Sequence, residues 1–261
     1  MSSVSQIKIF GERNTGTNWL EQIISRNYNV PLVHHKGIIR SELRREQNVF
    51  LDKYTGDVRK VLRERLIDAI FEGQRAQRLF GWKHSSVHYS HLSKIITFEK
   101  TGFIFLVKNP YSFLKSLHAR PYNSLVHIPE SLDQFVTSPW LTLSRDCTSE
   151  PLLKSPLELW NSKVASYLSF MEMCKNSLIV RYEDILEDQE LIFHLVKKKF
   201  KVRPLSTQKV IKSTKDEGMK LEDYKRKYLE CDPREGFEVQ TLRYLDSLVD
   251  RDLIKFFDYR L

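Results

Sequence analysis

The feature that most constrains the fold is a strand, a glycine-containing loop and a helix, in that order, close to the amino terminus. Residues 6–10, QIKIF, have the pattern of a strand, and the loop GERNTGTN follows them. The next segment, WLEQIISRNY, places Trp19, Leu20, Ile23 and Ile24 on one face of a helix. In such a unit backbone amides and a helix N-terminus converge on an anion. The sequence therefore predicts an anion-binding loop at the start of an α/β fold.

Strands and helices alternate along the rest of the chain. Residues 101–107, TGFIFLV, form an unbroken apolar run of the kind found at the centre of a parallel sheet. Further strands are predicted at 79–82 and 177–181, and the longer helices at 57–79, 157–175 and 239–257. The pattern contains no linker and no internal repeat. It predicts one α/β domain over residues 1–261, with a mostly parallel central sheet flanked by helices.

The predicted helix at 57–79 is amphipathic. Its apolar face consists of Val58, Val61, Leu62, Leu66, Ala69 and Ile70. We expect this face to pack against the core and the Arg and Glu residues of the other face to be solvated.

Composition and charge limit the class of protein. Hydrophobic residues make up 41% and charged residues 29%, which excludes a largely disordered or collagen-like chain. Lys and Arg number 42 against 33 Asp and Glu, and this net charge of +9 favours polyanionic partners. The three cysteines are widely separated and form the pattern of neither a disulfide framework nor a metal motif. With no signal peptide and no apolar membrane span in the sequence, we expect a cytoplasmic protein without a membrane span.

The loop departs from the one used by nucleoside triphosphatases. Gly11 and Gly16 are separated by four residues, as in the first part of G-x-x-x-x-G-K-[ST]. The last two positions are Thr17 and Asn18, where that motif has a lysine and a Mg²⁺-binding hydroxyl. Because the loop then lacks a counterion for a β/γ-phosphate pair, a P-loop kinase with a degenerate loop is kept only as an alternative.

Three segments resemble the sulfotransferases that use 3′-phosphoadenosine 5′-phosphosulfate. RNTGTNWL is similar to their 5′-phosphosulfate loop, and VKNPYSFLKSL to the signature that grips the 3′-phosphate. IVRYEDIL is similar to a later strand end of the family, where the tyrosine lies near the adenine. The resemblance spans residues 7 to about 190. It implies a sulfotransferase fold of the P-loop-NTPase-like kind.

The resemblance also implies a set of residues that bind this nucleotide without a metal. In the loop they are Arg13, Asn14, Thr15, Gly16, Thr17, Asn18 and Trp19. Lys108 and Ser116, eight residues apart, are implied on the 3′-phosphate, and Tyr182 beside the adenine. Asn14 stands where the family usually has a basic residue, so Arg13 or Lys83 has to supply the charge. Trp19 is either a core residue of the first helix or a flat surface for the adenine.

We expect the catalytic residues at a strand end that faces the loop. FGWKHSSVHYSH supplies Lys83 and His84 and resembles the K-T-H segment of cytosolic sulfotransferases. His84 is the predicted base, since an imidazole with a pKa near 6.5 accepts protons at neutral pH. Lys83 is predicted to stabilise the bridging oxygen. The alternative bases are His88, His91, Glu42 and Glu46.

The histidines do not form a metal motif. His34, His35, His84, His88 and His91 include no helical HExxH pair, and no cysteine joins them. We therefore expect no metal.

The resulting hypothesis is sulfuryl transfer from 3′-phosphoadenosine 5′-phosphosulfate to a hydroxyl or amine. The acceptor is expected to be a small molecule or a carbohydrate, between walls formed by the proline-rich residues 121–156 and the basic residues 34–48. The basic wall contributes Lys36, Arg40, Arg44 and Arg45. A non-enzymatic polyanion-binding protein is the remaining alternative, although no nucleic-acid partner is expected. The sequence does not indicate an oligomeric state.

Overall fold

The central sheet consists of three parallel strands. A computed structural model describes residues 3–33, 48–76, 79–211 and 219–260. The strands are β1 (Gln6–Gly11), β2 (Thr101–Val107) and β5 (Ser177–Arg181), in the order β1–β2–β5. A separate antiparallel pair, β3 (Trp140–Leu141) and β4 (Leu152–Leu153), lies in the proline-rich region. The predicted α/β architecture with a parallel sheet is confirmed.

Helices alternate with these strands and cover the sheet. Their bounds are α1 (Thr17–Asn27), α2 (Gly56–Ala76), α3 (Tyr89–Leu92), α4 (Pro110–Ala119), α5 (Leu132–Thr137), α6 (Pro156–Met173), α7 (Tyr182–Glu187), α8 (Gln189–Phe200), α9 (Leu221–Lys225), α10 (Val239–Leu248) and α11 (Arg251–Phe256). A π-helical turn, Arg226–Glu230, continues α9. Within the described ranges, none of the helices combines the length and the apolar character needed to cross a membrane.

Strand β2 explains why the sheet is buried on both faces. All seven of its residues are buried, and successive side chains point to opposite faces. Phe103 and Phe105 enter one core, which includes apolar residues of α4, α6, α10 and α11. Ile104 and Leu106 enter the other, which includes apolar residues of α1, α7 and α8. The unbroken apolar run thus serves two cores, as expected for a central parallel strand.

Three sequence expectations differ from the structure. Residues 79–82 form no strand, because Phe80 and Gly81 adopt positive φ angles of 60° and 71°. In α2 the expected apolar face is largely exposed, at 57% for Val58 and 39% for Val61. The expected terminal helix is two helices, since the side chain of Asp250 accepts backbone hydrogen bonds that begin α11.

Candidate functional site

A cavity of about 460 Å³ lies at the carboxyl ends of the three parallel strands. Gly11 ends β1 and is followed by the loop that begins the predicted set at Arg13, Lys108 follows β2, and Tyr182 follows β5, so predicted site residues follow each strand at this edge. The predicted residues that line the cavity are Arg13, Asn14, Gly16, Thr17, Asn18, Trp19, Lys83, His84, Ser116 and Tyr182. Ligands of open α/β sheets bind at this edge.

The loop between β1 and α1 has the strained backbone of a tight anion loop. Asn14 has a φ of 64° and Gly16 a φ of 88°, both in the left-handed region. A Cβ atom on Gly16 would lie 2.5 Å from the Tyr182 ring, so only glycine fits here. Thr15 does not line the cavity: its buried Oγ1 donates to the Glu12 carbonyl at 2.6 Å. It therefore braces the loop from within.

Asn14 and Arg13 make different contacts in this loop. The Asn14 amide donates to the carbonyls of Ser116 at 3.1 Å and Arg120 at 3.0 Å, which ties the loop to the end of α4. The Arg13 guanidinium lies over the Tyr122 ring at 5.7 Å. Its Nε is buried and makes no hydrogen bond among the described residues. A buried donor without a partner beside a cavity suits an anionic ligand.

Lys83 is held in place by α1. Its Nζ donates to Asn18 Oδ1 at 2.7 Å and to Glu21 Oε1 at 2.8 Å, and the lysine side chain is 4% exposed. Glu21 was not anticipated, although it lies three residues after Asn18 and thus on the same face of the helix. The ion pair fixes the ammonium group beside the loop.

His84 is hydrogen-bonded to the loop itself. Its Nδ1 lies 2.5 Å from the Gly11 carbonyl oxygen, and the Gly11 N–H donates to the Lys83 carbonyl at 2.9 Å. Because a carbonyl oxygen only accepts, Nδ1 carries the proton in this bond. The lone pair of a neutral imidazole then lies on Nε2. Trp82 contacts the His84 ring edge-to-face at 5.2 Å and fixes its plane.

Lys108 and Ser116 lie close together, but the Lys108 ammonium group does not reach the cavity surface. Lys108 Nζ lies 3.0 Å from Ser116 Oγ, as one would expect of residues at a strand end and on the following helix. The Tyr228 ring covers the ammonium group at 3.7 Å, and Lys108 is only 1% exposed. Burial lowers the pKa of Lys108. Only Ser116 of this pair lines the cavity, and Tyr228 is a site residue that the sequence analysis did not single out.

Aromatic side chains form one wall of the cavity. Trp19 is 4% exposed and contacts Tyr224 edge-to-face at 5.3 Å, so it belongs to the core and to the wall at once. Tyr224 and Tyr228 are nearly parallel at 6.2 Å, and Tyr228 meets Tyr182 edge-to-face at 5.4 Å. The tyrosines of α9 and its π-turn were missed because the surrounding residues are heavily charged.

The cavity lining is predominantly basic. Five of its side chains are cationic and two are acidic; they are Arg13, Lys83, Lys115, Arg120 and Lys227 against Asp232 and Glu235. Together with the loop amides, this excess favours a ligand with more than one negative charge.

The other predicted residues lie elsewhere. His88 Nε2 contacts the Cys147 carbonyl at 3.1 Å, and neither His88 nor His91 lines the cavity. Residues 34–47, with the alternative bases Glu42 and Glu46 and the basic acceptor wall, lie outside the described part of the chain. Within that part, no group of three or more His, Cys, Asp or Glu residues could hold a metal ion.

The chain is similar to solved structures but not to known families or curated sequences. No family model and no curated protein sequence matches the chain. The chain is similar to a sulfotransferase domain from the curacin biosynthetic pathway, with 13% identity, full coverage of both chains and a TM-score of 0.45. At that score the similarity carries no argument about function.

Proposed function

We propose that this protein is a sulfotransferase that moves the sulfuryl group of 3′-phosphoadenosine 5′-phosphosulfate to a hydroxyl or amine. The observation that carries the proposal is a single cavity shared by an anion loop without the triphosphatase lysine and a histidine bonded to that loop through Nδ1. An anion site beside a base suits transfer of an anionic group. The identity of the sulfuryl donor is proposed from the resemblance of the loop, and of the segments at the ends of β2 and β5, to those of the sulfotransferases.

The proposed donor contacts follow from the cavity wall. The loop amides, Arg13 and Asn18 would hold the phosphosulfate, and the orphaned Nε of Arg13 supports this. Ser116 and, behind it, Lys108 would take the 3′-phosphate. Trp19 and Tyr224 offer faces to the adenine, and the unpartnered Nε1 of Trp19 is a further donor at this wall. The lining therefore fits a planar base that carries several negative charges.

In the proposed reaction His84 is the general base. Nε2 accepts the proton that the acceptor loses as its oxygen or nitrogen bonds to sulfur. The bond between sulfur and the nucleotide's phosphate oxygen breaks, and its electron pair stays on that oxygen. Lys83 stabilises the negative charge that develops there, with its own position set by Asn18 and Glu21. The residues supply charge, orientation and proton transfer, which is what such a transfer needs.

Ligand-induced stabilisation tests the donor assignment. Adenosine 3′,5′-bisphosphate should raise the Tm in the presence of a metal chelator, since a native-state ligand at about 100 times its Kd adds about 2.7 kcal/mol of stability. Ser116→Ala should remove most of the shift. Ser25→Ala, on an exposed face of α1, is the matched control and should retain it. No shift in the wild-type protein at millimolar ligand would overturn the proposal.

The alternatives give different results in the same assay. A kinase with a degenerate loop requires a shift by ATP that depends on Mg²⁺. A polyanion-binding protein should show no nucleotide effect, with an affinity for heparin or oligonucleotides that falls steeply with salt. Either pattern would replace the sulfotransferase proposal.

Acceptor identity calls for a direct screen. We propose a hydroxyl or amine compound, with carbohydrates among the candidates. Transfer from a radiolabelled sulfate donor to sugars, phenols, steroids and peptides would identify it. Once an acceptor is known, His84→Ala should lower kcat by about 10²- to 10⁴-fold, the usual contribution of a general base. Near-normal turnover would remove His84 from this role.

A further inference from the structure

Lys163 of α6 is a fully buried ammonium group with three acceptors. It is 0% exposed, and its Nζ lies 2.5 Å from Glu12 Oε1, 2.7 Å from Asp146 Oδ1 and 2.7 Å from the His84 carbonyl oxygen. Its contacts with Asp146 and with the His84 carbonyl oxygen are hydrogen bonds, and its contact with Glu12 is an ion pair. Two carboxylates and one carbonyl therefore meet at a single side chain.

Two of these acceptors belong to the catalytic side of the cavity. Glu12 is the first residue of the loop after β1, and its other carboxylate oxygen accepts the Arg13 N–H at 3.1 Å. His84 is the proposed base. Lys163 thus connects the backbone of the base directly to the loop that receives the anion.

The third acceptor extends the connection to Arg13. Asp146 is 0% exposed and also accepts the Tyr122 hydroxyl at 2.7 Å. The ring of Tyr122 lies beneath the Arg13 guanidinium at 5.7 Å. Asp146 in turn is fixed by the Leu143 N–H at 2.8 Å.

Stability alone does not account for this cluster. Removing three charges from water carries a large desolvation penalty, and apolar residues of similar volume often do as well or better. Asp146 and Glu12 raise the pKa of Lys163 although burial opposes them, so the ammonium form persists. In some proteins buried charges of this kind specify one arrangement, and the three partners of Lys163 suit such a role here.

We propose that Lys163 is a positioning residue, whose ammonium group fixes the His84 backbone against the phosphate loop so that the imidazole keeps its Nδ1–H bond to Gly11. The proposal rests on His84 being the base of the proposed function. Loss of the ammonium group leaves the His84 carbonyl without its hydrogen bond to Lys163. The imidazole then leaves Gly11 and takes the Nε2–H form that is common in water. That form has no lone pair on the nitrogen that serves as base.

The test measures the tautomer of His84 directly. In protein labelled with ¹⁵N-histidine, at a pH near 8, above the ordinary pKa of an imidazole, a long-range ¹H–¹⁵N correlation distinguishes Nδ1–H from Nε2–H. The wild-type protein should show Nδ1–H as the main form of His84. Lys163→Met should reverse the ratio, to a majority of Nε2–H.

A second variant covers the case in which Lys163→Met does not fold. Lys163→Met alone leaves two buried carboxylates without a cation. The second variant, Glu12→Gln with Lys163→Met, removes one charge of each sign. The double variant still lacks the bond to the His84 carbonyl and should show the same reversal. Val196→Ala, a core truncation in α8 at a position that is 0% exposed, controls for loss of stability and should keep the wild-type tautomer.

The outcomes separate this proposal from the proposed function. If His84 keeps Nδ1–H in the folded double variant, the positioning role is wrong, whatever the nucleotide result. If the wild-type protein shows no shift with adenosine 3′,5′-bisphosphate, the proposed function fails, and the tautomer measurement still stands. With an acceptor in hand, the double variant should lower kcat by about 10²-fold with little change in the donor KM.

Discussion

At the level of single residues, Lys108 is a predicted phosphate-binding side chain that aromatic rings cover. Its ammonium group lies between the rings of Tyr182, at 4.7 Å, and Tyr228, at 3.7 Å. Contact between a phosphate oxygen and Nζ therefore requires the Tyr228 ring to move. Tyr228 Oη lies 3.4 Å from Ser116 Oγ, so the tyrosine lies beside the serine as well.

Replacing Tyr228 should uncover this lysine. We expect Tyr228→Ala to increase the preference for adenosine 3′,5′-bisphosphate over adenosine 5′-phosphate by about tenfold, because one charge-assisted hydrogen bond contributes about 1.5 kcal/mol. Calorimetric Kd values for both nucleotides give the ratio. Tyr228→Phe keeps the ring and should change the ratio little. An unchanged ratio in Tyr228→Ala would place the 3′-phosphate away from Lys108.

At the scale of elements, the turn from β1 to α1 depends on close packing against α7. Gly16 and Gly236 have nearly equal φ angles, 88° and 85°, but different surroundings. A Cβ on Gly16 would meet the Tyr182 ring at 2.5 Å, and one on Gly236 would have nothing within 4 Å. The pair separates the cost of backbone strain from the cost of crowding.

Gly16→Ala should therefore destabilise the protein more than Gly236→Ala. We expect about 1 kcal/mol for Gly236→Ala, from the left-handed backbone alone, and about 3 kcal/mol for Gly16→Ala. Chemical denaturation of both variants gives the two free energies of unfolding. Equal losses would mean that the loop moves away from Tyr182 at no cost.

Helix α2 is attached by charge rather than by the expected apolar face. Glu64 is 2% exposed, and its carboxylate accepts from Arg145 Nη2 at 2.6 Å and from the Ser124 hydroxyl at 2.6 Å. One turn later Asp68 accepts from Arg145 Nη1 at 2.7 Å. The periodicity of the apolar residues could not reveal this, because the arginine lies about eighty residues away in the chain.

Loss of the Glu64 carboxylate should weaken the fold substantially. Glu64→Ala leaves a buried guanidinium with half of its compensation, and we expect a loss of about 3 kcal/mol. Lys60→Ala breaks an exposed ion pair of the same helix and should change stability by less than about 0.5 kcal/mol. Urea midpoints of the two variants provide the comparison. Similar midpoints would show that the buried pair is dispensable.

At the scale of the whole molecule, buried lysines make stability depend on pH. Burial and the neighbouring Lys83 lower the pKa of Lys8 to about 7, while Glu21 opposes the change. The Lys8 amine donates to the carbonyls of Leu79, at 2.9 Å, and Gly81, at 3.0 Å, bonds that a neutral amine also makes. Between pH 7 and the ordinary lysine pKa near 10.4, the unfolded chain binds a proton that the folded chain does not.

The contribution of Lys8 to stability should consequently increase with pH. From pH 7 to pH 9.5 we expect the difference in unfolding free energy between wild type and Lys8→Met to change by up to about 1.4 kcal/mol per pH unit. The wild-type protein gains over this window, and below pH 7 the difference levels off. Denaturant titrations at several pH values measure it. A constant difference would mean that Lys8 stays protonated in the folded state.

Local sequence patterns were enough to predict the architecture around the site. The strands at 6–11, 101–107 and 177–181 lie within a residue of their expected bounds, because apolar runs and flanking turn residues are local properties. The strand expected at 79–82 was wrong, since two successive positive φ angles arise from packing. One missed residue did carry a local signal: Lys163 lies four residues after Leu159 and four before Tyr167, on the apolar face of α6.

Local patterns were sufficient to predict the three strands of the parallel sheet and the loop at its carboxyl edge. Only the tertiary structure decided which side chains meet there: Glu12 with Lys163 and Asp146, His84 with Gly11, and Tyr228 over Lys108. The two kinds of interaction differ in how far apart along the chain their residues lie. Hydrogen-bond periodicity and apolar alternation act over a few neighbouring residues. Apart from Lys163 and Asp146, which are 17 positions apart, these contacts join residues about seventy to one hundred and fifty positions apart and form only when the helices pack on the sheet.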